Sequence, residues 1–454
     1  MAQKFSSMPV VNPHAAGIDV GSKTHFVATG QQPEDVKSFG CYTQDLQQIS
    51  QWLRENDITT IAMESTGSYW RGLFKHLQDE GFEVILVNGK HTRNVKGRKT
   101  DVIDCQWIQR LHSLGLLSGS FLPDTFTETL RQYVRQREHL VEQSATYIKK
   151  MQQSLRQMNI RLDVAIRDIV GDSGRAIVQA ILQGQRDPFL LASLVNYRVK
   201  KSKQEIALSL EGNWKEEYLF ELRMSHDLYL VFQNKIVVCD REIEKILLQR
   251  VEHSSLQQGN KTIKKDQEIK SVKKKKNKNA PQINLQQICL QLTNGINLYA
   301  IEGVSDTTVL TLLSETGFNL NKFTTAKNFC SWMALTPNNK ISGGKMISSH
   351  ISHHNNRLAQ ALRRAANAIG NMKKGALSQF FRRIAFKYGR MAAITATARK
   401  LGMIIWNMLT KREAYRYEET TVYTERLRKL QIKQLQKKII SLNIQSHELE
   451  FVMC

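Results

Sequence analysis

The chain has 454 residues, enough for two or three domains with cores of their own, and carries 65 Lys and Arg against 41 Asp and Glu, a formal charge of +24. Such an excess points to a polyanionic partner, because Lys and Arg that neutralise phosphates release counterions. No apolar run is long enough to span a bilayer, and residues 1–11 lack the charged-then-apolar layout of a secretion signal, so the expected location is the cytosol. The six cysteines (Cys41, Cys105, Cys239, Cys289, Cys330, Cys454) are scattered without a C-x-x-C pair, which argues for reduced structural thiols and against a zinc site.

The first 120 or so residues alternate strand and helix signals. Ala15–Val20 and Thr24–Thr29 read as a hairpin across Gly21-Ser22-Lys23, and Lys37–Tyr42 as a third strand. Asp45 is placed to N-cap a helix through Leu46, Ile49, Trp52 and Leu53. A strand at Ile58–Met63, a helix at Tyr69–Asp79 and a strand at Glu83–Val87 follow. Three strands, then helix–strand–helix–strand–helix, is the order of an α/β ribonuclease H-like (RuvC-like) fold.

Four carboxylates stand out in this region. Asp19 is embedded in an apolar strand, an expensive place for a charge unless something pairs with it. Glu64 closes the run Ile61-Ala62-Met63. Asp101 and Asp104 follow the basic stretch Lys96-Gly97-Arg98-Lys99-Thr100, and their spacing of three puts both on one helical face. Hard cations such as Mg²⁺ take oxygen ligands, and phosphoryl transfer commonly uses metals held by carboxylates. Ordinary solvated carboxylates are the plain alternative. Lys96, Arg98 and Lys99 flank the expected metal site and suit phosphate contact. Tyr69 and Trp70 fit core packing better than base stacking.

From Thr127 the pattern is helical. Leu130, Val134, Arg137, Val141, Ser144, Ile148, Met151, Leu155, Met158 and Leu162 form a heptad-like coiled-coil seam, either an intramolecular hairpin or a contact between subunits. A tract from Gln257 to Asn279, with nine lysines between Lys261 and Lys278, reads as a disordered linker or a basic clamp. Ile301-Glu302-Gly303-Val304-Ser305 with the helix after it is similar to half of a helix-hairpin-helix element, whose turn amides would bind phosphate. A glycine turn, Ser342-Gly343-Gly344-Lys345, precedes a helix with Leu358, Leu362, Ala365 and Ile369 on one face and Arg357, Arg363 and Arg364 elsewhere. By itself Ser342 reads as a small turn residue. The divisions expected are 1–125 catalytic, 126–256 helical, 257–290 linker, 291–410 C-terminal domain and 411–454 basic helical tail.

Gly17-Ile18-Asp19-Val20-Gly21-Ser22-Lys23, Glu64-Ser65-Thr66-Gly67-Ser68-Tyr69-Trp70 and Gly97-Arg98-Lys99-Thr100-Asp101-Val102-Ile103-Asp104 resemble the RuvC-like half of the DEDD-type insertion-sequence transposases. Ser342-Gly343-Gly344-Lys345 is similar to their C-terminal, mainly α-helical transposase half. The resemblance runs from about Ala15 to about Thr410. It implies a recombinase in which Asp19, Glu64, Asp101 and Asp104 bind Mg²⁺ (Mn²⁺ substituting) and Ser342 is the nucleophile on DNA. It also implies a tetramer working on donor and target DNA with a structured noncoding guide RNA, and Lys345, Arg357, Arg363 and Arg364 as nucleic-acid contacts. The stretch after the glycine turn departs from the family: His353, His354 and Asn355 stand where basic residues and a glycine are usual, and His350, His353 and His354 also raise a metal site as an alternative. Three other readings remain: a Holliday-junction-type nuclease that hydrolyses with water and needs no Ser342, a sugar-kinase-like ATPase suggested by Gly17–Gly21, and a remnant that only binds nucleic acid.

Overall fold

The computed structural model describes residues 8–89, 100–257, 278–351, 355–416 and 420–442. The chain forms two compact units, Met1–Leu122 and Pro123–Cys454.

In the first unit β1 (Ala15–Val20), β2 (His25–Ala28), β3 (Val36–Phe39), β4 (Thr60–Glu64) and β5 (Glu83–Val87) build one sheet of order β3-β2-β1-β4-β5. β1, β2 and β3 pair antiparallel, whereas β4 and β5 join β1 in parallel through crossover helices. Those helices are α1 (Thr43–Glu55) and α2 (Trp70–Asp79). Strand alternation sends Ala16, Ile18 and Val20 to one face, where they meet Leu53, Leu73 and Leu77 of the two helices. Each buried Val, Leu or Ile among them contributes about 1.5–3 kcal/mol. The opposite face is covered by α3 (Asp101–Ser113), whose Ile108 packs on Ala62 and Val87. This mixed sheet with its helices is ribonuclease H-like. Asp45 is not the N-cap of α1: the helix begins at Thr43, and Asp45 reaches back from its first turn to accept from the Tyr42 amide at 2.9 Å.

Among its described residues the second unit is helical apart from one small ribbon. α4 (Thr125–Gln157) is followed by the short helices α5 (Leu162–Ala165), α6 (Asp172–Leu182), α7 (Pro188–Ser193) and α8 (Lys203–Leu208), then α9 (Glu216–Gln257). At 1.5 Å per residue, α4 and α9 are about 50 and 63 Å long. They pair antiparallel within this chain. Phe126 lies by Arg250, Arg137 by Asp240, Ser144 by Gln233, Tyr147 by Phe232 and Ser154 by Glu221, one number rising as its partner falls. Of the expected seam, Leu130, Val134, Arg137, Ser144, Met151 and Leu155 are buried and Val141 and Ile148 half-buried, whereas Met158 and Leu162 lie past the end of α4.

Next come α10 (Leu285–Leu292), α11 (Asp306–Thr316), α12 (Ala326–Trp332), the β6 (Asn338–Ser342) and β7 (Lys345–His350) ribbon, α13 (Arg357–Gly370), α14 (Ala376–Lys411) and α15 (Thr420–Ser441). The expected linker at 257–290 is thus shorter at its C-terminal side, because Ile283, Leu285, Ile288 and Cys289 are buried and α10 forms on them; residues 258–277 lie outside the described part. The turn at Gly303, read as a phosphate-binding element, is packed instead: a β-carbon there would stand 2.6 Å from Ile369 Cγ1 and 2.9 Å from the Ala365 carbonyl. Among the described residues no helix is long and apolar enough to cross a membrane.

Candidate active site

The sheet register places two of the four carboxylates. Ile18 pairs with Met63 in the parallel ladder, so the next residues along, Asp19 and Glu64, stand beside each other at the carboxyl ends of β1 and β4. Both share the α3 face, since Gly17 and Ala62, two residues earlier, contact that helix. Clefts at the carboxyl ends of parallel strands are the usual sites of open α/β sheets.

α3 supplies the other two, and glutamines fix its position. Gln109 Nε2 donates to the Ala15 carbonyl at 3.1 Å, and Gln106 Nε2 donates to the Gln31 carbonyl at 3.0 Å. The helix lies so close to β1 that only a glycine fits beneath it at position 17. Thr100 caps its start, its hydroxyl accepting from the Ile103 amide at 3.3 Å. Asp101 and Asp104 therefore occupy the first turn, where the helix dipole favours negative charge, and Asp104 is half-buried whereas Asp101 is exposed. The Cys105 thiol, next along the helix from Asp104, is buried and donates to the Val102 carbonyl at 3.1 Å. Burial, with the negative charges of Asp19 and Asp104 adding to it, pushes that thiol up to about 12.

Asp19 and Glu64 thus stand side by side at one end of the sheet, Asp101 and Asp104 lie in the first turn of the helix that covers that face, and all-oxygen donors of this kind suit Mg²⁺ or Mn²⁺. Among the described residues, no three His, Cys, Asp or Glu side chains are gathered closely enough to hold one ion. Lys96, Arg98 and Lys99 fall outside the described residues, as do His353 and His354. Trp70 packs edge-on against Phe74 at 5.6 Å, while Tyr69 is exposed.

Ser342 stands in a different setting. It ends β6, and Ser342 and Lys345 are the last pair of the ladder before a two-residue turn. Gly343 (φ 55°) and Gly344 (φ 75°) are both left-handed, as a type I′ hairpin requires. A bulge at Lys340/Ile341 shifts the register further down. Lys340, Ser342, Lys345 and Ser348 consequently share one face, and Ile341 and Met346 take the other. Almost every residue of the ribbon is exposed, including Ile341 at 64% and Met346 at 59%. Of the three arginines on α13, Arg357 is ion-paired with Glu138 and Arg363 donates to the Ala334 carbonyl at 3.4 Å, which leaves Arg364 exposed.

One signal was legible in the sequence and overlooked by motif reading. From Thr316 to Arg412 there is no Asp or Glu, against 17 Lys and Arg. The last acid before this run, Glu315, is buried and held by Arg135 at 3.0 and 2.9 Å. The ribbon and α12 to α14 thus present surface of one sign.

Two family models match the chain: a transposase model, DEDD_Tnp_IS110, over residues 16–160, and the transposase IS116/IS110/IS902 family over residues 297–382. No curated protein matches it. The first match covers the sheet with all four carboxylates and the whole of α4; the second covers the serine ribbon and reaches into α14. The chain belongs to the DEDD transposases of the IS110 family.

Proposed function

We propose that this transposase moves its element by Mg²⁺-dependent DNA cleavage and strand exchange through a covalent phosphoserine link at Ser342, with Asp19, Glu64, Asp101 and Asp104 as the metal-holding carboxylates. The observation that carries the reading is the adjacency of Asp19 and Glu64 at the ends of β1 and β4, under a helix whose first turn holds Asp101 and Asp104. A bound divalent ion would supply Lewis-acid stabilisation of the charged phosphoryl group. The chain's own contribution is nucleophile and position. Ser342 Oγ attacks phosphorus, the bond to the departing nucleoside oxygen breaks, and the serine proton ends on that oxygen. The DNA is left joined to Ser342, and the bond is conserved for exchange.

A serine hydroxyl is a weak nucleophile at neutral pH and needs activation. Among the described residues no histidine or carboxylate is hydrogen-bonded to Ser342, in keeping with activation by groups that the ribbon does not carry. Lys340 and Lys345 on the same face suit a phosphate held next to Oγ. A guide RNA and a tetramer belong to this reading through the family resemblance, and the acid-free surface of 316–412 suits a nucleic-acid partner.

The test uses the gene with its native flanking DNA in a bacterial host. Wild type should give excised circular junctions and an SDS-stable protein–DNA adduct, and Asp19→Ala and Ser342→Ala should give neither. Cleavage surviving in Ser342→Ala but not in Asp19→Ala would make the protein a water-using nuclease.

A further inference from the structure

α14 is not one helix. At Gly389 the backbone turns to φ 82°, ψ 166°, and the helix breaks into two segments. Around this elbow three large side chains stand in solvent: Phe386 is 96% exposed, Tyr388 62% and Met391 77%. The elbow is pinned in place. Arg390 Nη2 donates to Asn367 Oδ1 at 2.6 Å and Asn371 Oδ1 at 2.9 Å, and Arg382 Nη2 donates to the Lys373 carbonyl at 2.9 Å, fastening both sides of the break to the end of α13. A fixed aromatic almost wholly in water loses the benefit of burial, which marks it as a contact surface.

Charge identifies the partner. Residues 382–391 carry Arg382, Arg383, Lys387 and Arg390 and no acid, inside the acid-free run. A second copy of this elbow would set cations against cations. A strand of phosphodiesters would be attracted, and an unpaired base would offer Phe386 and Tyr388 a flat partner to stack on. A closed duplex hides the faces of its bases and would leave both rings in water. Lys387 already lies 5.1 Å over the Tyr388 ring, a cation at the edge of the platform and within reach of a backbone phosphate.

We propose that the Gly389 elbow is a binding site for an unpaired stretch of nucleic acid, with Phe386 and Tyr388 as its stacking platform and Arg383 and Lys387 as its phosphate contacts. The site stands whether or not Ser342 reacts, and it is tested by binding alone. Full-length wild type, Phe386→Ala, Tyr388→Ala and Phe386→Trp are titrated by fluorescence anisotropy against a short unpaired RNA, DNA of the same sequence and a blunt duplex of that DNA. The alanine variants are expected to bind an unpaired strand roughly tenfold more weakly, with duplex binding unchanged and Phe386→Trp at wild-type affinity. The strand that loses more, RNA or DNA, is the natural occupant. Unchanged affinity for both unpaired strands, or equal loss on the duplex, overturns the proposal. So does concentration-dependent self-association of wild type that Phe386→Ala abolishes, since the elbow would then join two copies of the chain.

Discussion

Gly17 on β1 and Gln109 on α3 approach so closely that a β-carbon on Gly17 would lie 2.2 Å from the Gln109 amide nitrogen. The helix that carries Asp101 and Asp104 lies this close to β1 only because position 17 has no side chain. Gly17→Ala should push α3 off the sheet, cost about 1–3 kcal/mol as overpacking does, and abolish circle formation with Asp19, Glu64, Asp101 and Asp104 all present. Thermal unfolding together with the excision assay measures both effects. A Gly17→Ala protein with wild-type recombination would show that the close packing of α3 on β1 is not needed.

The ribbon turn makes a different demand. Both central residues are left-handed, which costs about 1–2 kcal/mol for an ordinary residue, while asparagine is tolerated at the first position of such turns. Gly343→Asn should retain recombination, and Gly344→Val should lose it. Because the ribbon is exposed, the melting temperature of the whole protein should stay nearly constant in both. A lowered melting temperature in Gly344→Val would mean that the ribbon supports the core.

Inside the α4–α9 pair, Arg137 and Asp240 are 5% and 4% exposed. They also bind the returning chain: Arg137 donates to the Asn279 carbonyl at 3.1 Å, and Asp240 accepts from the Gln282 amide at 3.1 Å. Removing one partner strands a buried charge, so Arg137→Met alone should cost about 3–5 kcal/mol. Arg137→Met with Asp240→Leu should recover most of that loss. Denaturant midpoints of the two variants decide it, and equal loss in both would assign the stability to the contacts with 279–282.

His25 and His112 are buried in the first unit, and burial holds both below the usual histidine range. His112 Nε2 lies 2.9 Å from Thr60 Oγ1. The unfolded chain takes up these protons first, near pH 6.5. Stability of this unit should therefore be complete above that value and fall as the pH drops, by up to about 1.4 kcal/mol per pH unit for each histidine. Hydrogen exchange of β1 and β4 amides at pH 7.5 and 5.5 reads the loss, and His112→Gln should flatten it.

The first unit was readable because its strands are short apolar runs: Glu83–Val87 appears with the same bounds in sequence and structure, and Ala15–Val20 likewise. Asp19 and Glu64 were visible as charges in apolar company, but their adjacency needed the register of β1 on β4. The seam from Leu130 to Leu155 was visible too, although heptad spacing says that a helix wants a partner and not which one. The ribbon could not be read as strands, because Asn338–Ser342 buries neither face and so has no alternation to detect. Phe386 and Tyr388 were hidden by the opposite ambiguity: an aromatic in a helical pattern looks like core until its exposure is known.

The antiparallel course of α4 and α9 has a topological consequence. Phe126 and Arg250 lie side by side, 5.1 Å from ring centre to guanidinium, so the chain sets out and comes back at one place. The stretch between them is an excursion that the returning chain ties down again, through Lys278 on Asp168 at 2.7 Å, Arg137 on the Asn279 carbonyl and the Gln282 amide on Asp240. Turns of helix added to α4 and α9 in matched pairs beyond Arg137 and Asp240 would leave those two ties in place and displace the Asp168–Lys278 ion pair. The pair can therefore change length at its far end at the expense of one half-exposed ion pair, with the chain's entry and exit left side by side.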